Sequence, residues 1–355
     1  MNTSCAPSSD RQITDPPNIN EAGRTRLAAI FRWPLLLALL ILPQMMQAQR
    51  TAIVGAQIDD KGIQAQFSEW SPPVNLGPPV NTPGFNAAGP ALSKDGLSLY
   101  FNSNRPGGFG GADIWVSQRA SREDAWGEPV NLGPTTNTAA NEDTPSFSRD
   151  GHTMYFNSDR AGSFGLRDIW ISRRANTHDD FGWEEPVNAG PGVNSAFDDA
   201  GASYLENEEA GTPLLYFGSN RTAGLFDIYV SAQAADGSWG PPVLVPELSS
   251  PLNEQHPSVR FDGLELFLDS NRLGTFGFRD LWVSTRETTL DPWSAPVNLG
   301  ATVNSTFIDQ TPFIASDRET LFFVSNRPGG IGGPGNLDIY MSTRERTSTT
   351  SALAR

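Results

Sequence analysis

"WSPPVNLG", residues 70–77, returns four more times along the chain, as "WGEPVNLG" (126–133), "WEEPVNAG" (183–190), "WGPPVLVP" (239–246) and "WSAPVNLG" (293–300). Three other phrases repeat in fixed order between these copies. The copy at 70–77 precedes the first such set, and the last set, ending near Arg344, has none after it. The counts match only if the strand at 70–77 joins the last set. That arrangement closes a ring and leaves no sheet edge open.

The other phrases fill out the unit. One starts it: "GPALSKDG" (89–96), "TPSFSRDG" (144–151), "GASYLENEEAG" (201–211), "HPSVRFDG" (256–263) and "TPFIASDRE" (311–319). Its aligned positions, Pro90, Pro145, Ala202, Pro257 and Pro312, lie 55, 57, 55 and 55 residues apart. Next come "LYFNSNR", "MYFNSDR", "LYFGSNR", "LFLDSNR" and "LFFVSNR". Then come "ADIWVSQR", "RDIWISRR", "FDIYVSAQ", "RDLWVSTR" and "LDIYMSTR". Each reads as a short strand bounded by Gly, Asn, Asp or Pro, and no stretch shows a helical period. Four strands per unit, repeated, predict an all-β, five-bladed β-propeller, with the N-terminal strand completing the last blade.

The ends are read separately. Arg24, Arg26 and Arg32 precede the apolar run "WPLLLALLILPQMM" (33–46). This is the pattern of a secretory signal, read as residues 1–48, and it is short for a membrane span of roughly 20 apolar residues. An uncleaved anchor is the alternative. Residues 49–69 read as a linker, 70–344 as the propeller and 345–355 as a disordered tail. The expected location is the periplasm or the extracellular space. The one cysteine, Cys5, lies in the leader, so no disulfide is expected beyond it. Residues 1–48 carry four Arg against three acids, so the remainder holds −16 against a chain total of −15. Such a surface repels phosphate, and no nucleic-acid partner is expected.

The hairpin topology sorts the repeated residues. Asp95-Gly96, Asp150-Gly151 and Asp262-Gly263 read as tight turns between the first two strands, because Gly accepts positive φ. Arg105/Asp113, Arg160/Asp168, Arg221/Asp227, Arg272/Asp280 and Arg327/Asp338 end one strand and begin the next. They are expected to pair as structural clamps at each corner. A ring of ligand-binding Arg is the alternative. Trp70, Trp126, Trp183, Trp239 and Trp293 are expected to pack between blades rather than to serve as sugar platforms.

Glu142, Asp199, Glu254 and Asp309, with Ala87 at the fifth equivalent position, are expected to ring the mouth of the channel. Asp143, Asp198, Gln255 and Gln310 add oxygens beside them. This ring is the candidate binding site. The other reading is that these acids accept backbone hydrogen bonds or pair with the second-strand Arg. No cofactor is expected, and the one cation considered is a divalent ion such as calcium at this mouth. His152, His178 and His256 show no ligand-like spacing, so no zinc site is expected. The loops at 105–113 and 327–338, the latter the longest, mark the side of the mouth where specialisation is expected.

The composite phrase P-x-x-S-x-D-G-x-x-L-Y-F-x-S-N-R…G-x-x-D-I-W-V-S resembles the WD40-like repeat called PD40, known from propellers of the TolB type. The resemblance covers nearly all of 70–344 and implies a bacterial exported propeller that serves as a binding platform. Ala202 and the lengthened "ENEEAG" turn depart from it. So does the count, since TolB-type propellers have six blades. The uniform repeats predict a monomeric, non-catalytic binding or scaffold module for a protein or a cell-envelope glycan. The alternative is a glycan-active enzyme of the five-bladed glycoside hydrolase type. It would use two carboxylates at the mouth, about 5–5.5 Å apart for retention or about 6.5–9.5 Å for inversion.

Overall fold

The computed structural model describes residues 66–222 and 224–347. The leader and most of the tail lie outside the described residues. Blade 1 is built from Ala87–Leu92, Ser98–Ser103, Asp113–Gln118 and Val130–Asn131, hydrogen-bonded in that order. Blade 2 repeats this with Glu142–Phe147, Thr153–Ser158, Asp168–Arg173 and Val187–Asn188. Blade 3 uses Asp199–Leu205, Leu214–Ser219, Asp227–Ala232 and Val243–Leu244. Blade 4 uses Glu254–Val259, Glu265–Ser270, Asp280–Thr285 and Val297–Asn298. Blade 5 takes Asp309–Ile314, Thr320–Ser325 and Asp338–Thr343 from the end of the chain. Its outer strand is Val74–Asn75 from the beginning. Val74 faces Met341 and Asn75 faces Tyr340, so the ring closes within one sheet, as the displaced copy requires.

One more pairing lies beyond this closure. Gln66–Phe67 pairs antiparallel with Arg346–Thr347, in segments read from sequence as linker and disordered tail. Phe67 carries the Arg344 guanidinium on its ring at 3.8 Å. The tail's first residues are therefore ordered by the same N- to C-terminal contact that closes the last blade.

The core is a ring of separate clusters, one between each pair of neighbouring blades. Tyr100 and Ile114 of blade 1 pack on Met154, Phe156 and Trp183 of blade 2. Tyr155 and Ile169 meet Leu215, Phe217 and Trp239. The pattern runs on through Tyr216 with Trp293 and Phe267 with Phe323. It ends with Leu99 and Phe101 against Phe322 and Ile339. A blade is covered on both faces by its neighbours. This is why second strands read "LYF", "MYF" and "LFL" without polar alternation, and why their middle residues are fully buried. The outer-strand Trp residues join these seams. Trp183 meets Tyr100 edge-on at 6.3 Å, Trp239 meets Tyr155 at 6.3 Å and Trp293 meets Tyr216 at 6.1 Å.

Each inner strand carries a bulge. The register shifts in all five blades between the second and fifth residues of the strand, for example between Gln255 and Ser258. The bulged residue precedes the aligned Pro or Ala202, and it always lies in the left-handed region. These are Gly89 (φ 57°), Thr144 (45°), Gly201 (67°), His256 (46°) and Thr311 (47°). Pro supplies no N–H to a ladder, so a bulge is where an inner strand tolerates it. A left-handed Thr or His ahead of Pro is strained, and strain of this kind gathers at functional sites. These five residues ring the channel.

Candidate functional site

The four predicted mouth acids are fully buried, and every one is already engaged. Glu142 accepts from Thr138 N–H (2.8 Å) and Oγ1 (2.7 Å), from Ser158 Oγ (3.0 Å), and from Arg160 at 3.0 Å. Glu254 repeats the pattern with Ser250, Ser270 and Arg272. Asp199 takes Ser195 and Arg221, and Asp309 takes Ser305 and Arg327. Each acid thus caps the turn four residues before it and neutralises the Arg that ends its own second strand. All four act as buried blade anchors. Blade 1 has Ala87 there, so Arg105 donates to the Pro79 and Val80 carbonyls at 3.2 and 2.5 Å. Burial without a carboxylate partner pushes Arg105 down to about 10, with Glu128 opposing the shift.

The expected Arg–Asp clamps are corrected by the same contacts. No ion pair links Arg160 to Asp168 or its four equivalents among the described residues. The third-strand Asp instead holds the glycine-rich loop. Asp113 accepts from Phe109 N–H (2.5 Å), Gly110 N–H (3.1 Å) and Asn131 Nδ2 (2.9 Å). Asp168, Asp280 and Asp338 do the same for their loops. Asp227, under the shortest loop, is half-buried, and desolvation holds its carboxyl above the usual range despite Ser249. Loop amides fill the Asp lone pairs, while the Arg is drawn inward by a buried acid, so the two never need each other.

Two further Arg–carboxylate clusters involve blades 2 and 4 and the entry to blade 3. Arg167, at the base of its loop, bonds Asp198 Oδ1 through Nε at 3.1 Å and stands 3.7 Å from Asp143. Burial disfavours the Arg167 charge, but Asp143 and Asp198 outweigh it and raise its affinity for the proton. Asp143 and Asp198 keep 18% and 17% of their side-chain surface exposed, which leaves both reachable by a ligand. Asp143 also accepts from Asn157 Nδ2 at 2.6 Å and from Thr144 Oγ1 at 3.2 Å.

Blade 4 uses the equivalent Arg279 differently. Arg279 bonds Gln255 Oε1 and, at 2.9 Å, Asp269 Oδ2. Asp269 Oδ1 accepts from His256 Nδ1 (2.7 Å) and from Thr311 N–H of blade 5 (3.0 Å). Asp269 is fully buried, which alone would raise its carboxyl. His256, Arg279 and these hydrogen bonds more than offset burial and hold it below the usual range. An ionised carboxylate only accepts, so His256 Nδ1 donates to Asp269. Gly201 makes room for this ring. A Cβ there would lie 2.8 Å from His256 Cα and 3.0 Å from Cδ2.

From sequence, His256 is weighed only as a metal ligand and Asp269 is not singled out. The signal was present in "LFLDSNR", where Asp269 stands at a position held by Asn102, Asn157, Gly218 and Val324 elsewhere. The charged pairs sit outside the 105–113 and 327–338 loops where specialisation is expected, although Ala112 of the first loop accepts from Glu142 N–H at 2.7 Å, one residue from Asp143. No group of three or more His, Cys, Asp or Glu side chains is arranged to hold a metal ion among the described residues.

No protein-family model matches the chain, and no curated protein does. Solved structures do. The α-L-arabinofuranosidase from Lactobacillus brevis aligns with a TM-score of 0.52 at 15% identity, over 75% of this chain and 92% of its own. The α-L-arabinofuranosidase PaAbf62A from Podospora anserina, solved with cellotriose, aligns with a TM-score of 0.52 at 12% identity, over 79% and 98%. A putative TolB from Agrobacterium tumefaciens aligns with a TM-score of 0.44, at 18% identity over 72% of this chain and 75% of its own. The expectation of a non-catalytic scaffold is corrected by these neighbours, since the two structures of highest similarity reported above are α-L-arabinofuranosidases. At these identities the likeness shows the fold.

Proposed function

We propose that the chain is a glycan-active hydrolase whose site is the mouth between blades 2 and 3. The observation that carries this is a pair of accessible carboxylates, Asp143 and Asp198, flanking one guanidinium, Arg167. They are not repeat equivalents, and their surroundings differ. Asp198 takes a charge-assisted bond from Arg167. Asp143 accepts at hydrogen-bonding distance from the neutral Asn157 and Thr144. Two carboxyl groups in unlike environments are what acid–base cleavage of a glycosidic bond requires. In such a reaction one carboxyl gives its proton to the departing oxygen as the C–O bond breaks, and the other takes the proton of the attacking water as its oxygen bonds the anomeric carbon.

The PD40-like phrases fit this reading as blade-building motifs, since their acids, Arg and Asp are spent on anchoring loops. Export through the N-terminal leader would place the enzyme among extracellular or envelope glycans. A panel of aryl glycosides and polysaccharides tests the proposal. Turnover by the wild type and a loss of about 10³-fold in Asp143→Asn are expected. Absence of turnover across the panel sinks it.

A further inference from the structure

Two matched trios of large apolar side chains stand exposed at one end of the ring. Phe164, Leu166 and Phe197 form one where blade 2 meets blade 3, and Phe276, Phe278 and Phe307 form the other where blade 4 meets blade 5. Each residue keeps between 39% and 69% of its surface exposed. Both trios join the loop between a second and a third strand to the loop that enters the next inner strand. Neighbouring strands run antiparallel, so these loops share one end of the ring.

The trios stand on fixed backbone. Asp168 accepts from Phe164 N–H at 2.7 Å, and Asp280 accepts from Phe276 N–H at 2.7 Å. Leu166 N–H donates to the Phe197 carbonyl at 3.1 Å. Phe197 and Phe307 N–H each donate to the serine hydroxyl two residues earlier, at 3.2 Å. Side chains on a preorganised frame lose little freedom when a ligand covers them. The fold does not require the trio. Blade 1 has Gly111 and Ala140 at two of the three equivalent positions, yet it closes the same corner, with Gly111 N–H on the Ala140 carbonyl at 3.2 Å. Apolar side chains that neither folding nor the repeat demands, gathered on one end, mark an interaction surface.

Charge and adjacency select the occupant. The chain carries −15, which repels an anionic ligand. Leu166 directly precedes Arg167, and Phe197 directly precedes Asp198, so the first trio adjoins the carboxylate pair and its guanidinium. A Phe ring offers a flat apolar face with no polar tip. It suits the C–H face of a sugar ring, whose hydroxyl edge is left to the charged groups alongside. At the second trio Ile308 stands in the place of Asp198, and Asp269 is fully buried. We propose that the two trios are platforms for one neutral polysaccharide. The first holds the chain beside the carboxylates, and the second holds it away from the bond that is cut. The inference rests on the glycan reading of the site and adds a substrate class to it: a neutral polymer, in preference to a charged one.

The test is native electrophoresis of the full chain through gels containing dissolved xylan, mannan, arabinan or β-glucan, with anionic polygalacturonate as the contrast. At least one neutral polymer should retard the wild type, and polygalacturonate should not. Phe197→Ala and Phe307→Ala should each weaken that retention about tenfold. Leu290→Ala, an exposed apolar residue at the opposite end, should keep it. On the retained polymer the loss in each Phe variant should fall on KM more than on kcat. No retention by any neutral polymer, stronger retention by polygalacturonate, full retention in either Phe variant, or an equal loss in Leu290→Ala overturns the platforms. Retention that both Phe variants lose, without turnover of any glycan, would leave the platforms and remove the hydrolase. Turnover with full retention in either Phe variant would do the reverse.

Discussion

Blades 2 and 4 begin from the same parts and end with different chemistry. Their loops read "FGLRD" and "FGFRD", and both send an Arg, Arg167 or Arg279, to the channel mouth. Both anchor an inner Glu, Glu142 or Glu254, on a second-strand Arg. The difference is an exchange of acid and amide across two strands. Blade 2 has Asp143 on the inner strand facing Asn157, and blade 4 has Gln255 facing Asp269. Blade 2 therefore shows a carboxylate to the channel. Blade 4 hides its own and shows an imidazole, because Asp269 has turned His256 outward. A repeated scaffold acquires distinct acid and positioning roles by moving one carboxylate by one strand.

The shared frame is the first thing to break. Glu142→Ala and Glu254→Ala each leave a buried Arg uncompensated. Each should cost about 3–5 kcal/mol by chemical denaturation, and the two losses should match. Unequal losses would mean that the two blades do not share an anchor. Next comes the exchanged acid itself. Asp269→Asn should cost about 2–3 kcal/mol, because the buried guanidinium and imidazole lose their anion. Asp143→Asn, at a partly exposed site, should cost under about 1 kcal/mol. Gly201→Ala forces a Cβ into His256 at positive φ. It should cost about 1–3 kcal/mol and displace the imidazole resonance.

The smallest effect is in acid. Asp269 has its carboxyl held below the ordinary value of 3.8. Its contribution to stability is therefore complete above that value and is lost as pH falls through the lower folded value. The acid limb of a stability–pH curve should be shallower in Asp269→Asn than in the wild type.

The frame was legible because repetition exposes it. The five-fold phrases, the displaced strand at 70–77 and the aligned Trp residues specify blades, closure and seams without reference to any one site. The same habit of alignment misdirected the search for chemistry. Glu142, Asp199, Glu254 and Asp309 stood out because they agree, and they agree because every blade needs an anchor for its Arg. The channel residues stood out less because they depart from the pattern. Asp269 occupies a slot filled elsewhere by Asn, Gly or Val, and His256 fills one held by Gly or Thr. Nor did the spacing indicate that the residue before each Pro would take a left-handed bulge and line the channel. That follows from inner-strand register, which appears only when the sheet is assembled.

The central claim is that a mouth carboxylate, and not a repeated anchor, performs the chemistry. Release of sugar from a glycan panel by the wild type, Asp143→Asn and Glu142→Gln tests it most directly. The account predicts turnover by the wild type, near-complete loss in Asp143→Asn, and retained activity in whatever fraction of Glu142→Gln is folded. Wild-type turnover that survives in Asp143→Asn, or no cleavage of any glycan, would contradict it.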